Sequence, residues 1–210
     1  MVFDLDLTLV NTFSDMSSAR ELKIYTGEDS VEYKSRIYTL DMMDVVNEPG
    51  SGESTRMWGV FRPGWEKFHD FCKEYFEHVL VWSAGKPKYV DAVVDVLFPD
   101  EDFQPLAVYT SDDCTFSGDD IYKPLAKMYK DPELVDIVTP ENTLVLDDRR
   151  DTFSLNKRNG IKIPPYEPNP TYAAIMRDDD RLSKLQAWLS SKKVFESEDV
   201  RTLSKRGIFT

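Results

Sequence analysis

Histidine and cysteine are scarce in this sequence, at two residues each among 210. Cys72 and Cys114 stand far apart, without the paired spacing of a zinc site or a disulfide framework, so both are expected as small buried apolar side chains. His69 and His78 have no partners at ligand spacing, which takes histidine out of the expected chemistry. Long apolar runs are missing, and 30% of the residues are charged, so no transmembrane helix and no membrane partner are expected. No leader with a basic start, an apolar stretch and a small-residue cleavage site opens the chain, and the expected compartment is the cytoplasm or nucleus. Positive charge is in short supply: 26 Lys and Arg face 38 Asp and Glu, for a net charge of −12. A surface of that sign repels nucleic acid as a whole and argues against general nucleic-acid binding. Internal repeats are absent.

What is present suffices for one well-cored domain, with 41% hydrophobic residues that include 12 Phe, 10 Tyr and 4 Trp. The chemistry concentrates first at the start of the chain. Met1 to Phe3 is a short apolar run, and in Asp4-Leu-Asp-Leu-Thr-Leu the alternation places Asp4, Asp6 and Thr8 on one side of an extended segment. Aspartates that close repel, so one keeps its proton or a cation lies between them, and a divalent metal is expected. A first strand of only about three residues, where five or six are usual, points to missing upstream sequence or to a minimal version.

Further along, residues 13–36 are polar, include Gly27, and read as a small flap. Ile37–Leu40 and Met57–Phe61 read as strands of a hairpin beside the first strand, joined by the turn-rich Asn47–Ser54. Pro63 opens a helix whose stripe of Trp65, Phe68, Phe71, Cys72, Tyr75 and Phe76 is core. Val79-Leu-Val-Trp82 has the continuous apolar character of a buried parallel strand. It ends at Ser83-Ala-Gly-Lys86, before a helix marked by Val90, Val93, Val94 and Leu97 that aims its free amides at the edge holding Asp4. Leu106–Tyr109 is another strand, followed by an acidic turn over 111–120. Lys123 then starts a short helix, a place where the dipole is already positive, so the side chain is expected to face an anion. Thr143–Leu146 is a strand ending in Asp147 and Asp148, which can complete a metal site at the carboxyl edge of an open α/β sheet. Ile161–Pro165 is the last strand, and Leu182, Leu185, Trp188 and Leu189 mark the last amphipathic helix. Residues 193–210 read as a charged tail, with a short capped helix from Ser197.

Asp4-Leu-Asp-Leu-Thr-Leu, Ser83, Lys123 and Asp147-Asp148, in that order on successive element ends, resemble the four signatures of the haloacid dehalogenase (HAD) superfamily. Phe61-Arg-Pro-Gly-Trp65, Val79 through Asp91, Asp113-Cys-Thr-Phe116, Tyr122-Lys-Pro-Leu125 and Leu144 through Phe153 resemble its C-terminal-domain phosphatase-like branch, also called NLI-interacting-factor-like, over roughly residues 2 to 190. The resemblance implies a HAD-like, Rossmann-like α/β fold: a mainly parallel sheet flanked by helices, in a single domain over 1–192. The 13–60 flap and hairpin follow the first strand, and there is no large cap. Departures are Ser83-Ala-Gly where relatives carry Thr-Ala-Ser, Asp147-Asp148 where they carry Asp-Asn, and the acidic Ser111–Asp113 where they often carry an arginine. The last of these leads us to expect basic or neutral flanks in a peptide substrate.

By this resemblance the chain is a magnesium-dependent phosphatase acting on phosphoserine or phosphothreonine in proteins. Asp4 is the nucleophile that becomes an aspartyl-phosphate, and Asp6 the general acid and base. Magnesium is held by Asp4, the Asp6 backbone carbonyl and Asp148, with Asp147 as ligand or support. Ser83, Ala84, Lys123 and Thr8 serve the phosphate, Thr8 by orienting the loop. The alternatives are a HAD phosphatase for a small metabolite or a nucleic-acid phosphate end, and a catalytically silent HAD-fold binding protein. Oligomeric state is left open.

Overall fold

A computed structural model describes residues 1–24, 31–43 and 52–210, and in it the apolar runs become strands of very short length. In chain order the strands are β1 (Val2–Phe3), β2 (Val10–Phe13), β3 (Ile37–Met43), β4 (Ser54–Phe61), β5 (Leu80–Trp82), β6 (Val108–Tyr109), β7 (Thr115–Ser117), β8 (Asp120–Tyr122), β9 (Val145–Asp147) and β10 (Gly160–Lys162). The helices are α1 (Met16–Glu21), α2 (Val31–Lys34), α3 (Trp65–Tyr75), α4 (Pro87–Leu97), α5 (Tyr172–Ile175), α6 (Arg181–Leu189) and α7 (Lys192–Phe195).

A five-stranded sheet runs β10-β9-β1-β5-β6, parallel throughout. Its strand residues alternate between two cores. Phe3, Val81, Leu146 and Ile161 pack with the apolar stripes of α3, α4 and α6, while Val2, Leu80, Trp82 and Val145 pack with Leu125, Met128, Leu134 and Val138. This is the pleat of a sheet covered on both faces, and it explains why Val79–Trp82 is apolar at every position. Cys72 is buried in the first core and Cys114 is half-buried. The order puts β1 in the middle, so its carboxyl end lies between those of β5 and β9. Residues 4, 83 and 147–148 thereby share one edge.

Several elements differ from expectation. The hairpin of β3 and β4 is present, with Ile37 opposite Val60, but it belongs to a separate antiparallel sheet ordered β2-β4-β3. Its third strand, β2, was hidden by the polar Asn11 and Thr12. The 13–36 segment read as polar, yet α1, capped by the Asp15 carboxylate, buries Ala19 in a third cluster with Trp58, Val60 and Tyr166. Gly27 and residues 47–51 of the expected turn lie outside the described residues. The acidic turn after β6 contains the β7–β8 hairpin. Residues 193–210, expected as a charged tail, pack on the domain: Val194, Leu203 and Ile208 are buried in the first core, and Arg201 bonds Glu141 at 2.6 Å. Three isolated apolar side chains with no periodicity anchor that segment. The short helix expected from Ser197 is a 3-10 turn at Val200–Thr202, capped by Asp199. Among the described residues no helix is long and apolar enough to cross a membrane.

Gly160 shows how tightly the second core is closed. A Cβ there would lie 2.1 Å from Cδ2 of the Phe153 ring, so only glycine lets that buried ring sit against β10. Gly160→Ala should destabilise the protein by about 1 to 3 kcal/mol through overpacking, measured as a lower urea midpoint with an unchanged slope; a midpoint equal to wild type would mean the ring moves aside freely.

Candidate active site

Asp4 is the first residue past β1, and the backbone after it turns at once. The amides of Thr8, Leu9 and Val10 all donate to the Leu5 carbonyl, and Leu7 donates to Val10 at 2.7 Å. Leu7 takes φ of 60°, a left-handed conformation that costs a side-chain-bearing residue roughly 1 to 2 kcal/mol. Neighbours hold the loop in that shape. The Tyr166 amide donates to the Leu7 carbonyl at 2.7 Å. Arg62, 1% exposed, donates to the Thr8 carbonyl at 2.9 Å and to the Pro164 carbonyl at 2.8 Å, and pairs with Asp179 at 3.0 Å. Sequence reading noted Arg62 only within a motif; its burial among carbonyls has no local signature.

The loop fixes the Asp4 carboxylate by both oxygens. Thr8 Oγ1 donates to Oδ2 at 2.8 Å, and Lys123 Nζ donates to Oδ1 at 2.6 Å. Thr8 Oγ1 in turn accepts from the Asp148 amide at 3.1 Å. Lys123 Nζ also reaches Asp147 Oδ2 at 2.8 Å, while Asp147 Oδ1 accepts from the Arg149 amide at 2.8 Å. Lys123 does not start a helix. It follows β8, with its amide bonded to the Thr152 carbonyl at 2.7 Å. Its expected anion is supplied by two carboxylates.

Carboxylate oxygens of Asp4, Asp147 and Asp148 lie within 4.8 Å of one another. Asp6 stands outside that cluster because its carboxylate is turned toward Tyr89. Ser83, after β5, is 1% exposed; its Oγ accepts from the Gly85 amide at 3.0 Å, which leaves the hydroxyl proton to donate. Asp4, Asp6, Ser83, Ala84, Lys123, Asp147 and Asp148 line one pocket of about 310 Å3, and fully buried Thr8 sits beneath it. The Ser83–Gly85 loop, rather than the start of α4, forms that wall.

Asp6 has a hydrogen-bond system of its own. Tyr89 of α4 donates to Asp6 Oδ1 through a short bond. Thr12 Oγ1 lies 2.6 Å from the Tyr89 hydroxyl and 2.5 Å from that of Tyr38. The chain Tyr38–Thr12–Tyr89–Asp6 thus draws on β3, β2 and α4. Gly59 of β4 makes room for it, since a Cβ there would meet the Tyr38 ring at 2.3 Å. None of these hydroxyls was legible as functional, although Tyr89 lies in the Lys86–Tyr89 segment after Ser83.

Burial dominates the site's protonation. It raises Asp4 and Asp6 above the usual carboxylate range, with Lys123 opposing it at Asp4 and the Tyr89 hydroxyl opposing it at Asp6. Asp147 is pushed up to about 6 by burial and by Asp4, and Asp148 to about 6 by burial and by Asp147. Burial alone would lower Lys123, but Asp4 and Asp147 outweigh it and keep the ammonium charged. Lys123 is thus the buried cation among four acids, with the exposed Arg149 at the pocket wall acting on Asp148 as well.

The description NLI interacting factor-like phosphatase belongs to the family model that matches residues 1–201. Among solved structures, the fission yeast RNA polymerase II CTD phosphatase Fcp1 bound to beryllium fluoride is similar with a TM-score of 0.60 and 24% identity, covering 79% of this chain and 41% of that one. A second, described as Fcp1, an essential RNA polymerase II CTD phosphatase, has a TM-score of 0.59 and 21% identity over 97% of this chain and 58% of that one. The chain therefore spans less than two thirds of either. No curated protein matches it. Because the family match runs from the first residue to residue 201, it takes in every strand of the sheet and every residue of the pocket, and the chain belongs to the NLI interacting factor-like phosphatase family.

Proposed function

We propose that this chain hydrolyses phosphomonoesters through an aspartyl-phosphate on Asp4, with magnesium, and that its substrate is a phosphoserine or phosphothreonine in a protein segment. The observation that carries the reading is the Asp4 carboxylate, buried and held by both oxygens at an open pocket, beside a second acid with separate hydrogen bonds. Such a nucleophile needs no reorientation before attack. A carboxylate oxygen of Asp4 attacks phosphorus, the bond from phosphorus to the serine oxygen breaks, and Asp6 passes its proton to that oxygen. Water then attacks phosphorus, Asp6 takes the proton back, and the bond to Asp4 breaks with release of inorganic phosphate. Burial favours the protonated start that Asp6 requires. Lys123 and the Ser83 hydroxyl offer donors to the transferring oxygens.

Asp4, Asp147 and Asp148 are a hard oxygen donor set in which Lys123 pairs with the first two, a set that suits magnesium. Magnesium bound there would neutralise charge on the transferring phosphoryl group. A protein substrate is supported by the family and by the neighbours' description as RNA polymerase II CTD phosphatases. It is also supported by an open pocket over which the described residues place no second folded domain.

Asp4→Asn should yield no covalent phosphoenzyme in acid-quenched labelling. Asp6→Asn should slow the hydrolysis step on every substrate, and in single-turnover measurements should lower the rate of phosphoenzyme formation from a phosphoserine peptide by roughly 100-fold to 10,000-fold, and far less from nitrophenyl phosphate, whose leaving group needs no proton. Tyr89→Phe should move both values in the same direction by less. An equal loss of phosphoenzyme formation from both substrates would take the acid role from Asp6.

Protons and magnesium compete for Asp147 and Asp148. Their folded pKa values are raised to about 6, so magnesium affinity measured by calorimetry should rise from about pH 5 to about pH 7 and then level off. Affinity that is flat across that window would remove these carboxylates as ligands.

Phosphoserine and phosphothreonine peptides should give higher kcat/KM than sugar phosphates, nucleotides or 3′-phosphorylated DNA at matched ionic strength. A metabolite turned over far better than every peptide would overturn the protein-substrate reading.

A further inference from the structure

Past the Asp147–Asp148 turn lies a second concavity of about 1010 Å3, between β10, the turn that follows it and residues 205–210. Its walls carry Arg150, Lys157, Lys162, Lys205 and Arg206 and a single acid, Asp151. That acid is already occupied: Arg149 Nη2 lies 2.5 Å from it, and the Ile121 amide donates to it at 2.9 Å. Lys205 is occupied too, with Nζ donating to the Arg158 carbonyl at 2.6 Å and to that of Val200. Arg150, Lys157, Lys162 and Arg206 are exposed, and among the described residues they have no hydrogen bond or ion pair. Four uncommitted cations around one hollow run against a net charge of −12. Cationic side chains outnumber acidic ones around the hollow, an excess that a bound anion offsets.

The sheet order gives the cleft a direction. Lys162 ends β10 in register with Asp147, whereas Asp112 and Asp113 follow β6 at the opposite end. Asp4 lies between them. The carboxyl edge therefore runs from an acidic end, past the pocket, to a basic end. Phe153, Pro164 and Ile208 supply apolar wall between the cations, as side chains of a polypeptide require. Residues 205–210 lie beyond the part of the chain that the family model matches.

We propose that this cleft docks an acidic or further phosphorylated stretch of the substrate polypeptide, adjacent to the phosphoserine or phosphothreonine at Asp4. The proposal rests on the protein-substrate reading above. Charge complementarity selects an anion, and continuity along the edge from Asp148 through Arg150 selects one attached to the reacting residue. A long nucleic acid would extend past the cleft onto a surface that repels it. The acidic stretch lies on one side of the phosphorylated residue only, because the other side meets Asp112 and Asp113, of which Asp113 is partly offset by Lys127 at 3.6 Å. Neutral or basic flanks are thus favoured on that side alone, which narrows the preference expected from Ser111–Asp113.

The test compares phosphoserine peptides with a glutamate-rich flank before the phosphoserine, after it, or on neither side. One of the acidic peptides should show a KM about ten-fold below the neutral peptide, an advantage that shrinks with added salt. Lys157→Gln combined with Arg206→Gln, both exposed positions, should bring that ratio toward one mainly through KM. Equal KM values for all three peptides in the wild type, or a preference that survives in the double variant, would overturn the docking site. If no peptide is hydrolysed, the protein-substrate reading fails, and fluorescence anisotropy of the labelled acidic peptide on Asp4→Asn protein still decides the cleft. Binding lost in the added double variant supports it, and no binding, or binding indifferent to those residues, overturns it. Tighter capture of a single-stranded oligonucleotide through the same two residues would reject a peptide as occupant.

Discussion

The buried ammonium of Lys123, shared by Asp4 and Asp147, is the interaction on which the rest of the arrangement depends. Lys123 is 4% exposed and Asp147 1%, so neither charge can turn to water if its partner is lost. Breaking a buried pair from one side typically costs about 3 to 5 kcal/mol, because the remaining charge is stranded. Here the pair also fixes geometry. It ties the carboxyl end of β1 to that of β9, and Thr8 ties them again by bonding both Asp4 and the Asp148 amide. Two-residue and three-residue strands could not set these positions to within a hydrogen bond by ladder alone.

Around this pair the chain recruits distant segments to brace one loop. Arg62 links the Thr8 carbonyl to Pro164 and Asp179, and its guanidinium lies 5.6 Å over the Tyr166 ring. The Leu7 conformation is disfavoured in isolation, so such bracing has to over-determine it. The antiparallel sheet does the same for Asp6, sending Tyr38 and Thr12 toward Tyr89. Tyr89 and Tyr38 stay protonated because burial raises both far above the range of tyrosine titration in water. They act as fixed donors and acceptors, not as carriers of charge. The two acids at the start of the chain are therefore separated by environment: Asp4 is bonded to a cation and a hydroxyl, whereas Asp6 is bonded to the Tyr89 hydroxyl and feels the Lys123 charge from farther off.

Much of the parallel sheet and part of the pocket were legible because several pocket residues sit just past an apolar run. Asp4, Ser83 and Asp147–Asp148 all follow that rule, and the amphipathic stripes of α3, α4 and α6 stood out by their spacing. Other parts had no local signal. Asn11 and Thr12 interrupt β2, and acidic residues around Gly118 mask the β7–β8 hairpin. The reading of Lys123 as a helix start named an anion but not the two carboxylates it meets, and had the wrong local structure, since the side chain is placed by a hairpin and a bond to Thr152. Arg62, Tyr38 and Tyr89 act through partners tens of residues away, which periodicity cannot report. The packing of residues 193–210 depends on three scattered apolar side chains that look the same in a solvated tail.

Net charge proved the least informative quantity, because it averages over regions that the fold separates. A phosphate dianion approaching Asp4, Asp6, Asp147 and Asp148 would meet four carboxyl groups with Lys123 and the exposed Arg149 as the cations of the pocket, and one pair of unit charges about 4 Å apart contributes on the order of 4 kcal/mol at an effective dielectric constant of 20. Repulsion of that size has to be cancelled locally, by protons on the raised acids, by a bound divalent cation and by donors such as Lys123 and Ser83. The acids that make the protein repel polyanions elsewhere are also what makes a site for a hard cation here. On the proposed reading, a cation held by Asp4, Asp147 and Asp148 would offset this charge for an incoming phosphoryl group, while most acids elsewhere on the surface stay uncompensated. On that reading, the proposed selectivity for a phosphorylated side chain over free polyanions would follow from where charge is compensated, not from how much of it the chain carries.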